Sequence, residues 1–248
     1  MSGLRIEREG DVLRVTLARP ERRNAFDAEL IAELTDAFAD VGDARAVVLA
    51  GDGDTFCAGA DIDWQRSAID LPFEENVEDA LRLYRMLETI DSCPAPVVAP
   101  IQGYCLGGGC GLASCADVTI GGEDAVFGFA EVKLGIVAAV ISPFALARIG
   151  PGAARRFFLT GERFGAEVAL RIGLVHEIAP ALDEAVDRAV AELLSSGPNA
   201  VREAKRLIRS GPRDGEALAE LAARMRTSEE GQDGLRAFLE RRPPGWRT

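Results

Sequence analysis

Histidine is nearly missing from this chain: His176 is the single one among 248 residues. No Ser/His/Asp arrangement and no imidazole-based metal site can be assembled around it, so His176 reads as a structural residue near a strand. Basic residues are also in deficit. Lys plus Arg number 28 against 40 Asp plus Glu, a formal charge of −12. Such a field repels nucleic acid and anionic membranes, and neither is expected as a partner. Cys57, Cys93, Cys105, Cys110 and Cys115 contain no Cys-x-x-Cys pair. An odd number in a chain this long argues against a disulfide framework and for a reducing compartment. The even spacing of Cys105, Cys110 and Cys115 falls among apolar neighbours, where cysteine packs as a small hydrophobe, so no metal is expected. No apolar run is long enough to cross a bilayer, and Met1-Ser2-Gly3-Leu4-Arg5 carries no apolar signal core. A soluble, cytoplasmic protein is the expectation.

Hydrophobic residues are plentiful instead, at 48%, enough for the core of one large domain or two small ones. Two continuous apolar runs, Ala46–Ala50 and Pro96–Ile101, read as buried strands. Each is followed by a loop of small residues: Phe56-Cys57-Ala58-Gly59-Ala60-Asp61 after the first, and Gly103 to Gly109 after the second. Three consecutive glycines, 107 to 109, leave backbone N–H groups unshielded ahead of Leu112–Ala116, which can begin a helical turn. One loop alone is ordinary punctuation. Two of them, each at a strand end, can aim one N–H apiece at a single carbonyl oxygen, the arrangement that stabilises an enolate or tetrahedral anion.

Around these loops, Leu4–Glu7 and Leu13–Leu17 alternate as a hairpin with one wet face, turning at Glu9-Gly10-Asp11. An arginine-rich loop, Arg19-Pro20-Glu21-Arg22-Arg23-Asn24-Ala25-Phe26, leads to Asp27, which caps a helix striped by Leu30, Ile31, Leu34 and Phe38. Residues 61–76 read as an irregular cover before an amphipathic helix through Ala80, Leu83, Leu87 and Ile90. Strands are expected at 118–120 and 124–129, the latter leading to Glu131, and at 174–178. Otherwise the chain beyond Ile141 reads as helical, with Gly211-Pro212 as a break. Strands alternating with helices, then a mostly helical last third, give an α/β core with a helical subdomain.

Four motifs in order resemble the enoyl-CoA hydratase/isomerase, or crotonase, superfamily: Arg19–Ala25, Phe56–Asp61, Gly103–Gly109 and Phe127-Gly128-Phe129-Ala130-Glu131-Val132-Lys133-Leu134-Gly135. The likeness runs from about Leu4 to Trp246. It implies a crotonase-like spiral of ββα units over residues 1–190 and a C-terminal helical trimerisation region over 191–248. Homotrimers or hexamers are implied with it. The implied substrate is an acyl-CoA thioester, with coenzyme A part of the substrate and no separate cofactor.

By resemblance, Ala60 and Gly108 supply the two N–H groups for the thioester oxygen. Arg22 and Arg23 meet the phosphates or adenine of coenzyme A, with backbone near Ala25, Ala58 and Ile62 lining the nucleotide, and Asp61, Gly107 and Gly111 count among the substrate-binding positions. Asp61 orders its own turn. Glu131 is the acid/base group; its mostly apolar neighbours Phe127-Gly128-Phe129-Ala130 would desolvate a carboxylate and raise its pKa, whereas on a surface loop it would be an ordinary exposed glutamate. The best-known hydratases place a second glutamate where this chain has Gly111. Three readings stay open: hydration through Glu131 alone or with a water near Gly111, a double-bond shift through the same base, and acyl-CoA hydrolysis or decarboxylation. A non-catalytic acyl-CoA binder is the rival outside catalysis. The stretch from Glu131 to Phe144 is similar to bacterial methylglutaconyl-CoA hydratases, apart from Ala138 where proline is usual. A dicarboxylic substrate of that kind needs a cation, for which Arg66, Arg82 and Arg85 are candidates. The tail Arg241–Trp246 resembles a family tail that completes a neighbour's coenzyme A site.

Overall fold

The computed structural model describes residues 2–211 and 214–247; Pro212, the second half of the expected break, lies outside them. The chain opens with the hairpin β1 (Leu4–Glu9) and β2 (Val12–Leu17), which turns at Gly10 with φ 57°. Next come α1 (Ala28–Ala39), β3 (Ala46–Gly51), α2 (Ile62–Ser67), α3 (Phe73–Ser92) and β4 (Val97–Ile101). The glycine-rich segment contributes β5 (Tyr104–Leu106) and α4 (Gly108–Cys115), followed by β6 (Val118–Gly122) and β7 (Val126–Gly128). After a 3-10 turn at Glu131–Leu134 the order is α5 (Ser142–Thr160), β8 (Arg163–Gly165), α6 (Ala166–Arg171) and β9 (Glu177–Ala179). Four helices end the chain: α7 (Leu182–Ser195), α8 (Pro198–Ser210), α9 (Gly215–Thr227) and α10 (Glu229–Glu240).

Six strands form a sheet in the order β1-β2-β3-β4-β6-β9, parallel throughout except for the opening hairpin; a second sheet runs β5-β7-β8. The unbroken apolar runs follow from burial on both faces of the larger sheet. Val47, Leu49, Val97, Ala99 and Ile101 enter the main core with Leu30, Leu34 and Phe38 of α1, whereas Val48, Val98 and Ile120 pack on the other side with Ala185 and Val186 of α7. The five cysteines are free and buried. Among the described residues no helix is long and apolar enough to cross a membrane.

Three expectations about elements need correction. Strand β1 lies at the sheet edge, so only Leu4 is buried in it and Ile6 is 52% exposed; the hairpin's first strand has little dry face. Residues 61–76 are largely helical, because Asp61 caps α2 by accepting from the N–H groups of Asp63 and Trp64, and α3 begins just after Pro72. The helix after the glycine run starts at Gly108 itself, not at Leu112, so the glycines form its first turn. Residue 190, where the spiral core is expected to give way to the C-terminal helical region, lies within α7, whose Val190 and Leu193 pack on the sheet cluster. Beyond α7, the buried Lys205 of α8 donates to Asp117 (2.6 Å) and to the Ala95 carbonyl (3.1 Å), tying the last helices to the core. The tail folds onto its own chain, where Trp246 Nε1 donates to the Ser195 carbonyl at 3.1 Å.

Candidate active site

The two small-residue loops meet because each continues a strand that is paired to the other. Cys57 N–H donates to the Tyr104 carbonyl (3.1 Å), and Leu106 N–H donates back to the Cys57 carbonyl (3.0 Å). On the other flank, Phe26 N–H donates to the Gly59 carbonyl and Asp61 N–H to the Phe26 carbonyl, both at 2.9 Å. Ala60 lies between those two bonds with its own N–H unspent. Gly59 has φ 90°, and an ideal Cβ there would come within 3.4 Å of Gly108 N, which fixes how closely the loops approach. Among the described residues, neither Ala60 N–H nor Gly108 N–H has a protein acceptor. For Gly108 the reason is general, since the first turn of a helix has no internal partner for its donors.

A cavity of about 390 Å³ opens in front of them. Its walls are Ala58, Gly59, Ala60, Leu106, Gly107 and Gly108 on the loop side, with Phe26 and Leu83 beside them. The apolar stretch Ile136–Ile141 and Leu134 close the opposite side; Gln65, Lys133 and Glu131 are its polar members. The Phe26 ring occupies the space where a Cβ on residue 108 would sit, so only glycine allows that ring and that helix start together.

Glu131 is placed by β7, which pairs with β5 so that Leu106 faces Gly128, and by the hydrogen bond from Gly107 N–H to the Gly128 carbonyl (2.8 Å). Phe129, between them, is held among Phe158 and Phe164. The carboxylate therefore lies over Gly107: an ideal Cβ there would be 3.3 Å from Glu131 Oε1. Oε2 is buried and has no hydrogen-bond partner among the described residues. Burial lifts the Glu131 pKa above the ordinary carboxyl value, against a smaller opposing effect of its own backbone N–H. A lone desolvated carboxyl facing an apolar cavity can take a proton and return it near neutral pH.

A family model described as enoyl-CoA hydratase/isomerase matches residues 7–248. The chain belongs to that family. A Thermus thermophilus protein, provisionally named an enoyl-CoA hydratase, is 40% identical over 249 residues, covering 95% of this chain and 97% of that one. The crotonyl-CoA hydratase of Syntrophomonas wolfei is 32% identical, covering 96% of this chain and 95% of that one. Among solved structures, an enoyl-CoA hydratase from Shewanella pealeana is 39% identical with a TM-score of 0.93, covering 98% of this chain and 96% of that one. The expected crotonase-like architecture is thus the fold of this chain. Membership in the enoyl-CoA hydratase/isomerase family implies an acyl-CoA thioester as substrate.

Several of the residues expected to bind substrate lie outside this cavity. Gly111 is buried behind the cavity, not on its wall: a Cβ there would lie 2.7 Å from Ile141 Cγ2 and 3.5 Å from Leu87 Cδ1. The space that a side chain at this position would take is thus held by Ile141. Arg22 is committed to carboxylates, Asp61 at 2.9 Å and Asp63 at 3.0 Å, whereas Arg23 is exposed and lies over the Tyr104 ring. Burial works to raise the pKa of Asp61, but the hydrogen bonds from Arg22 and from the Asp63 and Trp64 N–H groups outweigh it and hold the carboxyl below its usual range. Ala25 is buried, its carbonyl accepting from Arg19 at 3.1 Å, and Ile62 is 74% exposed; neither lines the cavity. Arg66, Arg82 and Arg85 stand in surface ion pairs with Asp63, Asp79 and Glu78, and none reaches the cavity wall. Phe26, Ile141 and Gln65, which donates to the Ala60 carbonyl (3.0 Å), went unread in the sequence. One signal existed for the acyl side: an apolar run from 136 to 141 with neither helical nor strand period.

Proposed function

We propose that this protein adds water reversibly across the 2,3 double bond of an enoyl-CoA. The observation that carries the reading is the Glu131 carboxylate, with one oxygen unpartnered, poised over Gly107 beside the two free N–H groups of Ala60 and Gly108. The thioester oxygen accepts from both N–H groups, which are already fixed before charge develops on it. Glu131 takes a proton from water as the water oxygen bonds to C3, and the π electrons move toward the thioester oxygen. The enolate then collapses, and the same carboxyl delivers its proton to C2. One carboxyl thus performs both transfers.

A second reading is favoured by Ile141, whose methyl fills the space at Gly111 and leaves the cavity without another acid. Glu131 would then remove a proton from C2 of a 3-enoyl thioester and return it to C4, shifting the double bond. Absorbance separates the two: crotonyl-CoA losing its conjugated band indicates hydration, and a 3-enoyl-CoA gaining one indicates isomerisation. No change across a broad acyl panel would favour a non-catalytic binder. The mostly apolar lining supports a hydrocarbon acyl group, straight or branched; the three candidate arginines lie outside it, so a dicarboxylic acyl group would have to pair with Lys133, the one cation among the lining residues. Mass spectrometry for a gain of water over short, long, branched and dicarboxylic enoyl-CoAs tests that reading. Assembly as a homotrimer or hexamer is part of the same proposal, supported by Phe238 and Leu239 at 81% and 78% exposure on α10; light scattering measures the mass.

A further inference from the structure

The cysteines form no disulfide and take no part in the proton transfers, yet two of them stand directly behind the two free N–H groups. In the first loop the backbone groups can be accounted for one by one. Ala58 N–H donates to the Arg23 carbonyl (3.0 Å) and Asp61 N–H to the Phe26 carbonyl (2.9 Å). The Gly59 carbonyl accepts from Phe26 N–H (2.9 Å) and the Ala60 carbonyl from Gln65 (3.0 Å). Gly59 is buried, and among the described residues the one partner of its N–H is the Cys57 sulfur, at 3.4 Å. Two successive N–H groups therefore part: that of Gly59 turns inward to a thiol, and that of Ala60 is left for the cavity. Without the sulfur a buried donor would be unmet. Turning that peptide toward the cavity would relieve it and spoil the aim of the next one.

A second thiol braces the other donor. Cys110 lies in the first turn of α4 together with Gly108. Its Sγ donates to the Cys105 carbonyl of β5 at 2.9 Å and lies 3.6 Å from the Gly128 carbonyl of β7, which also accepts from Gly107 N–H. The helix start is thereby tied to the strand that leads to Glu131. The two braced segments touch, since an ideal Cβ on Gly109 would fall 3.1 Å from Cys57 Cβ. Burial pushes the Cys57 thiol up to about 12, so the acceptor behind the first loop brings no negative charge against a developing enolate.

We propose that the Cys57 and Cys110 thiols are positioning residues of the oxyanion hole, the first aiming Ala60 N–H and the second fixing Gly108 N–H against Glu131. The proposal rests on those two N–H groups being the donors to the thioester oxygen. It gives a task to cysteines that the sequence presents only as packed small hydrophobes.

The test reads kcat and KM for crotonyl-CoA together with the infrared carbonyl band of bound butyryl-CoA, isotope-labelled at the thioester carbon, which has no double bond to hydrate. In Cys57→Ala and in Cys110→Ala, kcat is expected to fall about fivefold, the worth of one ordinary buried hydrogen bond, with KM little changed. The carbonyl band, lowered in frequency on binding to the wild type, should move back toward its position in water. Cys57→Ser, whose oxygen also accepts from an N–H, should recover both rate and band. Cys93→Ala removes an equally buried thiol at the end of α3, outside the cavity lining. It should lower the melting temperature comparably and leave kcat and the band as in the wild type. Unchanged kcat and band in Cys57→Ala and Cys110→Ala, or equal losses in Cys93→Ala, would overturn the proposal. Should no enoyl thioester be turned over while the butyryl-CoA band depends on Cys57, the hydration reading fails and the positioning role stands; if crotonyl-CoA is hydrated and neither kcat nor the band responds to either thiol, the positioning role fails by itself.

Discussion

Gly107 and Gly108 stand within one helical turn of Gly111, and the missing side chains serve opposite ends. At 107 the absent Cβ leaves space into which the Glu131 carboxylate projects, and at 108 it admits the Phe26 ring beneath an N–H that stays free. At 111 the same absence is filled from behind by Ile141 and Leu87, both buried in the main core. The first end of α4 keeps a cavity open and the other closes a core. Glycine therefore marks close approach, and its neighbours decide whether what approaches is ligand or protein.

The comparison is broken most severely by replacing the group that faces the open end. Glu131→Gln is expected to lower kcat by roughly 10²–10⁴, measured on crotonyl-CoA, while coenzyme A binding survives. Wild-type kcat should rise with pH along an acid limb lying above the ordinary carboxyl value, since burial raises the Glu131 pKa. The sign for stability is the reverse. With its folded pKa above the unfolded one, Glu131 contributes stability below the unfolded pKa that is lost as pH rises through the folded value. Glu131→Gln should therefore melt higher than the wild type at neutral pH and show less difference in acid; a lower melting temperature at pH 7 would contradict the desolvated carboxylate.

Gly108→Ala comes next. Its methyl meets the Phe26 ring, so the helix start or the ring must shift and one donor is misplaced, a loss of about 10²–10³ in kcat. Pairing it with Phe26→Leu should restore part of the rate if the ring is the obstacle. A smaller effect is expected at the closed end. Gly111→Ala overpacks against Ile141 and should cost about 1–3 kcal/mol in denaturant melts, with kcat reduced less than in Gly108→Ala; equal kinetic damage at both positions would erase the distinction between the two ends. Least of all, Arg66→Ala/Arg82→Ala/Arg85→Ala should leave KM and kcat unchanged for every acyl group, because these side chains are engaged on the surface.

Much of the site was legible because its makers are local. The two strand-to-loop transitions, the unshielded N–H groups of the small-residue loops, and the apolar approach to Glu131 are each carried by fewer than ten contiguous residues. Helix α1 was legible for the same reason, since Asp27 and the stripe from Leu30 to Phe38 specify both its start and its buried face. What escaped was long-range. Nothing near Gly111 announces Ile141, thirty positions later, and nothing near Arg22 says that Asp61 and Asp63 will claim it. The short strand β5 was hidden inside a glycine-rich segment, since its partners come from β7 and the Cys57 loop and not from its own composition.

The sequence by itself determined which residues could donate, accept a proton or turn, because backbone freedom at glycine and the desolvating habit of apolar neighbours are properties of short segments. Only the tertiary structure decided which of those capacities share a cavity. Occupancy of space is settled by side chains arriving from distant elements: Phe26 under one glycine and Ile141 against another.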